Sequence, residues 1–584
     1  MRSIRKVAAL TIAAALAVAG CSSDNKNDAP KAEMGPDGKV IVDTFSPANA
    51  DLNLDTNPVT KLMSDKFKIQ FRWQTTTFDA GPAREKRQIS LASGDYPDLF
   101  MLIPWVDGFS QADVLKLGKQ GVAVPLEKLI KDNAPNIQKA LDSNQTLREM
   151  STAPDGHIYA LPQWSDCFHC SYPDKLWINS AWLKKLNLPM PKTTEELRTV
   201  LRAFKTKDPN GNGKADEIPM TADVQDGHLI DYLMGGFAYP PAGANNGGLG
   251  LLTLDGDKVS TPVNTPEWRE GLKYIHSLFQ EGLIDQASFT QNAEALQATG
   301  NNPDAVMIGS SPLLHPAIFV QLGSKDGRDK QYDAAPPLTG PSGKSYSGLN
   351  YPSSSTFTFM LTNKASKEAQ VAAIKMLDYI YTTEGTNIAV MGPEGVGWNK
   401  PGAGDIALDN SVQPLYKRTP GTQAPKNLSW DSMAQYNLTL AYRNANVVPM
   451  DIYAEAGYER RLFQATKLYE GHDDKAQFFP TVSVWTDPSV SAEITTLKTN
   501  LDSYVSQGQL AFITGSKNID TDWDAYVKGL DGVGLKRYLE LNQKDYDGYK
   551  AGWARRSTLR DVLVDRLEHT VLACVGLVLI ERST

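Results

Sequence analysis

Cysteine and histidine are scarce in this sequence. Of 584 residues, four are cysteine and seven are histidine. So few cysteines in a chain of this length exclude a disulfide-scaffold protein. The pair Cys167 and Cys170 has the C-x-x-C spacing of a redox centre or half a zinc site, but no second cysteine pair or histidine cluster accompanies it. We therefore expect either a local disulfide or two incidental thiols, and a redox role for the pair is a secondary alternative.

Local signatures of common enzyme classes are also missing. There is no serine-hydrolase elbow, metalloprotease helix motif or dinucleotide fingerprint. Residues 340–345 (GPSGKS) end like a phosphate-binding loop, but Leu338 stands where that motif requires its first glycine. Carboxylates are plentiful and none is singled out, so the main alternative function is an extracellular carbohydrate-active enzyme. The net charge of −8 and the lack of a basic run argue against nucleic-acid binding.

No apolar run is long enough to cross a bilayer as a permanent helix. Residues 1–20 instead have the pattern of an export signal, with Arg2, Arg5 and Lys6 before an alanine-rich apolar stretch. The stretch ends in VAGC, which resembles a bacterial lipobox, and predicts that Cys21 becomes a lipidated N-terminus. The alternative is an ordinary secretory signal. Residues 21–38, rich in Asp, Asn, Lys, Pro and Ser, are typical of a flexible tether.

A short segment, residues 208–219 (DPNGNGKADEIP), places oxygen donors at alternate positions around a tight loop. This spacing suits a hard cation and Ca²⁺ in particular, with Gly213 where such loops turn sharply. The predicted ligands are Asp208, Asn210, Asn212, the Lys214 carbonyl, Asp216 and Glu217. Pro219 replaces the bidentate glutamate of an EF-hand, which disfavours that motif. The alternative is an Asx-rich turn without a metal.

The first part of the chain alternates strand and helix patterns. Residues 39–45 and 67–75 predict strands, and residues 57–66 and 82–93 predict helices. This alternation implies βαβ units and an α/β lobe. Further along, residues 265–284 predict an amphipathic helix that buries Trp268, Leu272, Ile275, Leu278 and Phe279.

Several segments resemble motifs of the family 1 extracellular solute-binding proteins of ABC importers. They are residues 91–100 (LASGDYPDLF), 154–162 (PDGHIYALP), 177–186 (WINSAWLKKL), 191–197 (PKTTEEL), 392–398 (GPEGVGW), 518–527 (NIDTDWDAYV) and 543–549 (QKDYDGY). The resemblance covers roughly residues 36–553. The cation loop is most similar to that of the calcium-containing, alginate-oligosaccharide-binding branch and to large Gram-positive lipoproteins.

The resemblance implies an α/β, two-lobe, periplasmic-binding-protein-like (type II) fold with hinge-crossing segments. It implies a lipid-anchored, monomeric receptor on the extracytoplasmic face of the membrane, which closes on an oligosaccharide and delivers it to the permease without making or breaking a bond. By the same resemblance, the six loop residues hold a structural Ca²⁺ away from the ligand. The cargo is an oligosaccharide, with an acidic one as a possibility.

Aromatic side chains are the first candidates for a sugar site, because a sugar ring offers an apolar face and a rim of hydroxyl groups. Trp398 is the leading candidate, since it ends the motif that places an aromatic ring in the cleft of the family. Trp164 follows the predicted crossing at residues 161–162, and Asp98 is expected where a strand ends in a loop. Trp430 is a further candidate. For each tryptophan the alternative is packing in a core.

The predicted organisation follows the family order. After the signal and tether, residues 39–155 form the first part of lobe 1, and residues 156–308 form the first part of lobe 2 with the cation loop. Residues 309–400 belong mainly to lobe 1, and 401–553 mainly to lobe 2 and the closing helices. Residues 554–584 depart from the family pattern, and we interpret them as an artefact or a recent extension whose deletion leaves folding intact.

Overall fold

A computed structural model of the protein describes residues 30–224, 228–241, 250–351, 356–419 and 425–552. Cys21 and the predicted export signal lie outside the described residues, as does the predicted atypical tail. Within the described ranges, no helix has both the length and the apolar character that a bilayer crossing demands.

The strands are short after the first two. In chain order they are β1 (Val40–Pro47), β2 (Ile69–Thr76), β3 (Leu99–Met101), β4 (Trp164–Ser165), β5 (Leu176–Asn179), β6 (Thr253–Asp255), β7 (Lys258–Ser260), β8 (Ser310–Pro312), β9 (Tyr332–Ala335), β10 (Phe359–Leu361), β11 (Trp398–Asn399), β12 (Lys417–Arg418) and β13 (Asn437–Leu438).

Helices make up most of the remaining regular structure. They are α1 (Pro58–Phe67), α2 (Ala80–Ser93), α3 (Gln111–Lys119), α4 (Glu127–Asn133), α5 (Pro135–Ser143), α6 (Gln145–Ser151), α7 (Phe168–Ser171), α8 (Ser180–Lys185), α9 (Thr194–Thr206), α10 (Leu229–Met234), α11 (Pro266–Gln280), α12 (Ala293–Gly300), α13 (Lys367–Ile380), α14 (Thr383–Met391), α15 (Leu440–Asn444), α16 (Tyr458–Lys467), α17 (Ser491–Thr514) and α18 (Ile519–Gly532). A further helix occupies residues 535–552. Single 3₁₀ turns lie at Gln286–Phe289, Pro316–Ile318, Arg328–Gln331, Asp431–Met433 and Glu455–Gly457.

The first lobe is built on a four-stranded sheet in the order β10-β3-β1-β2. Strands β1, β2 and β3 are parallel, and β10 is antiparallel to β3. Because β1 is central, its apolar residues are buried on both faces, which explains its β-branched composition. The core around this sheet draws on residues 40–164, 357–389 and 430–436.

The second lobe has a three-stranded antiparallel sheet in the order β8-β5-β9. Its main core combines residues 172–338 with Tyr469 and residues 501–538, so the long helices α11 and α17 pack together there. The two largest sheets, each with its own main core, confirm the predicted mixed α/β architecture with two lobes.

Several segments pass between the two lobes. In the first, β4 lies parallel to β13, and Tyr351 from a second segment donates its hydroxyl to Asp166 at 2.9 Å. Arg443, on α15, donates to the Ser165 hydroxyl at 3.2 Å. The crossing segments therefore contact each other side by side at the junction of the lobes.

The predicted lobe boundaries differ from these cores in two places. Residues 310–338 pack in the second lobe, because β8 and β9 both pair with β5. Residues 430–436 pack in the first lobe, although the range 401–553 is predicted to lie mainly in the second.

Candidate functional site

One edge of the first sheet gathers the loops that follow three strands. Since β1, β2 and β3 are parallel, their carboxyl ends lie on the same side, which is where α/β lobes bind ligands. Pro47, Phe78 and Ile103 come from these three strand ends, and all three line a cavity of about 290 Å³. The topology therefore identifies this cavity as the first-lobe part of a candidate ligand site.

The wall of the cavity mixes apolar and polar groups. Phe78, Ile103, Val390 and Met391 contribute apolar surface, and residues 427–432 contribute amide, hydroxyl and carboxyl groups. A charged pair on the rim, Lys426 with Asp51 at 2.8 Å, is solvent exposed and contributes little to stability. Arg418 also lines the cavity. The combination suits a ligand that has both an apolar face and hydroxyl groups.

Trp105 lies on the turn that follows β3, two residues after the cavity-lining Ile103. It is 49% exposed, and among the tryptophans that the structure describes it alone is in the exposed class. The turn is tight, since the backbone N–H groups of Val106 and Asp107 both donate to the Ile103 carbonyl. Sequence reasoning missed Trp105. The rule that ligands bind at the carboxyl ends of parallel strands would have found it if the end of β3 had been located correctly.

A buried ion pair holds that turn in place. Arg87 on α2 binds Asp107 in a bidentate manner, at 2.7 and 2.8 Å, and both side chains are almost fully buried. The guanidinium also lies over the Phe109 ring, 4.3 Å from its centroid. Because planar bidentate pairs fix orientation as well as distance, the turn that carries Trp105 is rigid.

The predicted ligand residue Trp430 lines the cavity. Its ring is otherwise buried, packs edge-on against Phe71 and Trp73, and donates its Nε1–H to the Thr60 hydroxyl at 2.8 Å. Only a small part of the ring is therefore available to a ligand.

The two other predicted tryptophans are buried. Trp398 is 5% exposed, packs beside Met391 of the cavity wall, and donates to the Gly392 carbonyl at 3.1 Å. Trp164 lies in β4 at the crossing, with its ring edge-on to Tyr351. Both rings are therefore buried beneath the protein surface and are not exposed to a ligand.

The prediction that Asp98 follows a strand is wrong. The residue precedes β3 instead of following a strand, so it lies at the amino edge of the sheet, opposite the cavity. Its carboxylate accepts the Asp43 backbone N–H at 2.9 Å and joins β1 to β3. Burial raises the pKa of Asp98. The strand was misplaced because β3 has only three residues and a proline turn in front of it.

The cation loop joins α9 to the segment beside β8. Asp208 accepts the backbone N–H groups of Gly211 and Asn212 on one oxygen and that of Gly213 on the other. Gly211 and Gly213 have φ values of 79° and 75°, which let the backbone curl around the carboxylate. The side-chain amides of Asn210 and Asn212 both donate to Asp216.

Two carboxylates in this loop have pKa values shifted from the usual range. The Asn210 and Asn212 hydrogen bonds lower the pKa of Asp216, whereas burial raises the pKa of Glu217. Among the described residues, Glu217 Oε2 is buried without a hydrogen-bond partner. A buried carboxylate oxygen usually has a partner, and a bound cation would supply one here. The loop residues offer only oxygen ligands, so they fit Ca²⁺.

Cys167 and Cys170 form a disulfide across the single turn of α7. His169 lies between them, and burial holds its pKa well below the usual range. The cysteine sulfurs are thus bonded to each other, which matches the local-disulfide expectation.

Comparison with known proteins places the chain among transport receptors. No protein-family model matches it. It is 28% identical over 568 residues to FusA, the fructooligosaccharide ABC transporter substrate-binding protein of Streptococcus pneumoniae. The aligned region covers 94% of this chain and 99% of FusA. It is also 26% identical to lipoprotein LipO of Bacillus subtilis, over 88% of this chain and 93% of LipO.

Solved structures agree with this comparison. FusA in complex with kestose superposes with a TM-score of 0.66 at 26% identity, over 88% of this chain and 100% of that one. A FusA EF-hand mutant bound to fructo-nystose gives 0.65 over the same shares. The alginate-binding protein AlgQ2 without calcium ion shares the fold, with a TM-score of 0.59 at 22% identity, over 87% and 98% of the two chains. This chain is therefore similar, along nearly its whole length and in its fold, to substrate-binding proteins of ABC transporters.

Proposed function

We propose that this protein captures an oligosaccharide between its two lobes and delivers it to the permease of an ABC importer. The observation that carries the proposal is the exposed indole of Trp105, on the turn that begins at the cavity-lining Ile103, at the carboxyl edge of the first sheet. A half-exposed aromatic ring provides the apolar platform that a sugar face covers.

A neutral fructooligosaccharide is the first ligand to test. FusA is named for that cargo and is similar along nearly the whole chain. The described residues that line the cavity include two cations, Arg418 and Lys426, and two carboxylates, Asp51 and Asp431, so the wall has mixed charge and does not favour an acidic sugar over a neutral one. Acidic oligosaccharides, which the sequence left open, form the second arm of the test.

Lobe closure is the mechanism we propose. A ligand that contacts the first-lobe cavity and the facing second lobe together stabilises the closed form, because it binds that form better than the open one. The adjacent crossing segments, with β4 beside β13, are the natural place for the bend. Trp430 would touch the ligand at the cavity wall, while Trp398 and Trp164 support the surrounding surfaces from behind. Asp98 would have a structural role.

A structural Ca²⁺ in the 208–217 loop is part of the proposal. Asp208, Asn210, Asn212, the Lys214 carbonyl, Asp216 and Glu217 would hold the ion, which would neutralise the loop carboxylates. The orphaned Glu217 oxygen supports this assignment, and the existence of an EF-hand mutant of FusA supports a related loop there.

We also propose that Cys21 carries a lipid anchor on the extracytoplasmic face of the membrane, and that the receptor acts as a monomer. The lipobox-like VAGC sequence supports the anchor. Intact mass of protein extracted from membranes tests it, and an unmodified Cys21 would remove the anchor from the proposal.

Binding is tested by calorimetry with the full chain and a panel of fructans, other neutral oligosaccharides and oligogalacturonides. Trp105→Ala should weaken binding of the best sugar by about 10- to 100-fold, as expected for loss of one stacking platform. Tyr96→Ala is the matched control, since Tyr96 is an aromatic residue just before β3 at the opposite sheet edge and hydrogen-bonds Asn363. Equal affinity of the two variants, or product formation from any sugar, would contradict the proposal.

A further inference from the structure

A compact group of three metal-ligating side chains lies in the second lobe, away from the calcium loop and the disulfide. Asp174 stands just before β5, at the end of the first crossing segment. His228 immediately precedes α10, and Asp231 lies within that helix. The group is therefore assembled from two elements that are far apart in the chain.

Backbone contacts fix the positions of both elements. The His228 N–H donates to the Pro312 carbonyl at 3.0 Å, and Pro312 in β8 pairs with Leu176 in β5. The start of β5 and the start of α10 thus meet at the end of the second sheet nearest the crossing segments. A site here has a rigid frame, as metal sites require.

The ligand atoms converge. His228 Nδ1 lies 2.8 Å from Asp174 Oδ1, and one ligand atom from each of the three residues lies within 4.8 Å of the others. The Asp174 side chain is only 4% exposed and that of His228 is 24% exposed, so the group is buried on one side and open on the other. An ion could enter from the open side and complete its coordination with water.

Nearby positive charge does not already satisfy the carboxylates. Among the described residues, no lysine or arginine forms an ion pair with Asp174 or Asp231, and Asp174 is paired with His228. Lys175, although next to Asp174 in the chain, donates to the backbone carbonyls of His169 and Tyr172. Two carboxylates held together at a buried position repel each other, and a divalent cation would remove that repulsion.

We propose that Asp174, His228 and Asp231 form a binding site for a divalent transition-metal ion, with Zn²⁺ as the best match. Imidazole nitrogen and carboxylate oxygen are both Zn²⁺ ligands, and three protein ligands leave a fourth position for water, whereas Ca²⁺ prefers oxygen ligands alone. Zn²⁺ bonds of about 2.0–2.2 Å require ligand atoms roughly 3–3.5 Å apart, so only small side-chain rotations are needed.

The position suggests what the ion does. Asp174 ends the crossing segment that contains the disulfide, and His228 and Asp231 belong to α10 of the second lobe. A bound ion would tie the crossing segment to the body of that lobe. The site is separate from the calcium loop. The chain that leaves the loop pairs at Ile218 with Ile308, just before β8 begins, whereas His228 contacts Pro312 at the end of β8.

The test is titration of the full chain, made without a polyhistidine tag, with ZnCl₂ while Ca²⁺ is kept in excess. We expect one equivalent of Zn²⁺ to bind, and both His228→Ala and Asp231→Asn to weaken it by at least roughly 100-fold, because losing a ligand costs more than losing an outer-shell contact. His157→Ala is the matched control, since His157 forms a similar contact with Glu127, at 2.7 Å, on the surface of the first lobe. Asp208→Ala controls for the calcium loop.

Co²⁺ substitution keeps the test decisive if a variant fails to fold. The wild-type protein should show visible d–d bands of a nitrogen and oxygen site without thiolate charge-transfer bands. The proposal is overturned if no Zn²⁺ binds, if binding survives in His228→Ala, or if Co²⁺ shows thiolate ligation, which would assign the metal to Cys167 and Cys170.

Discussion

Removing Ca²⁺ from the 208–217 loop should destabilise the second lobe selectively. If the ion is present at about 1,000 times its Kd, it stabilises the folded lobe by about 4 kcal/mol. One kcal/mol shifts the melting temperature of a unit of this size by about 2–4 °C, so chelation should lower the transition by roughly 8–16 °C. Scanning calorimetry in CaCl₂ and in EGTA measures the shift. The transition of the first lobe should not move, because its core shares no residue with the loop.

Glu217→Gln makes this prediction sharper. The buried, unpartnered Oε2 and the raised pKa of Glu217 indicate that the apo loop retains a costly carboxylate. The amide removes that cost, about 1–3 kcal/mol, and also removes a cation ligand. We therefore expect the variant to be more stable than wild type in EGTA and less stable in CaCl₂. Asp304→Asn, which neutralises an exposed carboxylate of the same lobe, should change neither. Equal calcium shifts in wild type and Glu217→Gln would refute the reasoning.

Three further predictions concern other parts of the chain. Arg87→Met should destabilise the first lobe by about 3–5 kcal/mol in denaturant titration, because it leaves the Asp107 carboxylate buried without its partner, and it should weaken sugar binding through Trp105. Burial raises the pKa of Asp545 to about 6 from 3.8, so the free energy of unfolding falls as the pH rises from about 4 to 6. Asp545→Asn should therefore add about 1–2 kcal/mol at pH 7.5 and almost nothing at pH 4, which urea unfolding at both pH values would show. Cys170→Ser should cost about 2 kcal/mol or less, since the disulfide closes a loop of four residues, and sugar affinity should be unchanged in calorimetry.

Features with purely local causes were predictable from the sequence. Thr193 and Glu196, within the segment 191–197, form a capping box that begins α9. Helix α11 begins after Thr265, and Trp268, Leu272, Ile275 and Leu278 are all buried on its inner face. Helix α1 begins after Asn57, whose side chain accepts two backbone N–H groups. In each case the deciding interactions are within about four residues in the chain, so the sequence alone contains them.

Features that depend on distant partners were not predictable in the same way. Strand β8 is confined to Ser310–Pro312, because pairing with β5 decides which residues are extended. The sequence context of Trp398 and Trp164 does not show whether their rings are exposed, and it is the packing of α14 and of the crossing segments that buries them. The group of Asp174, His228 and Asp231 likewise becomes visible only when β8 brings α10 beside β5.

Trp105 shows why the exposure of a side chain carries more functional information than its type. A tryptophan side chain covers about 150–250 Å² when buried, so one that is 49% exposed leaves roughly 100 Å² in water. At about 25 cal/mol per Å², covering this area would release roughly 2.5 kcal/mol. A ligand that covers the ring could therefore bind up to about 70-fold more tightly. The buried pair of Arg87 and Asp107 fixes the turn that carries the ring. A rigid support and an uncovered ring at the ligand edge are together consistent with selection for binding and not for stability alone.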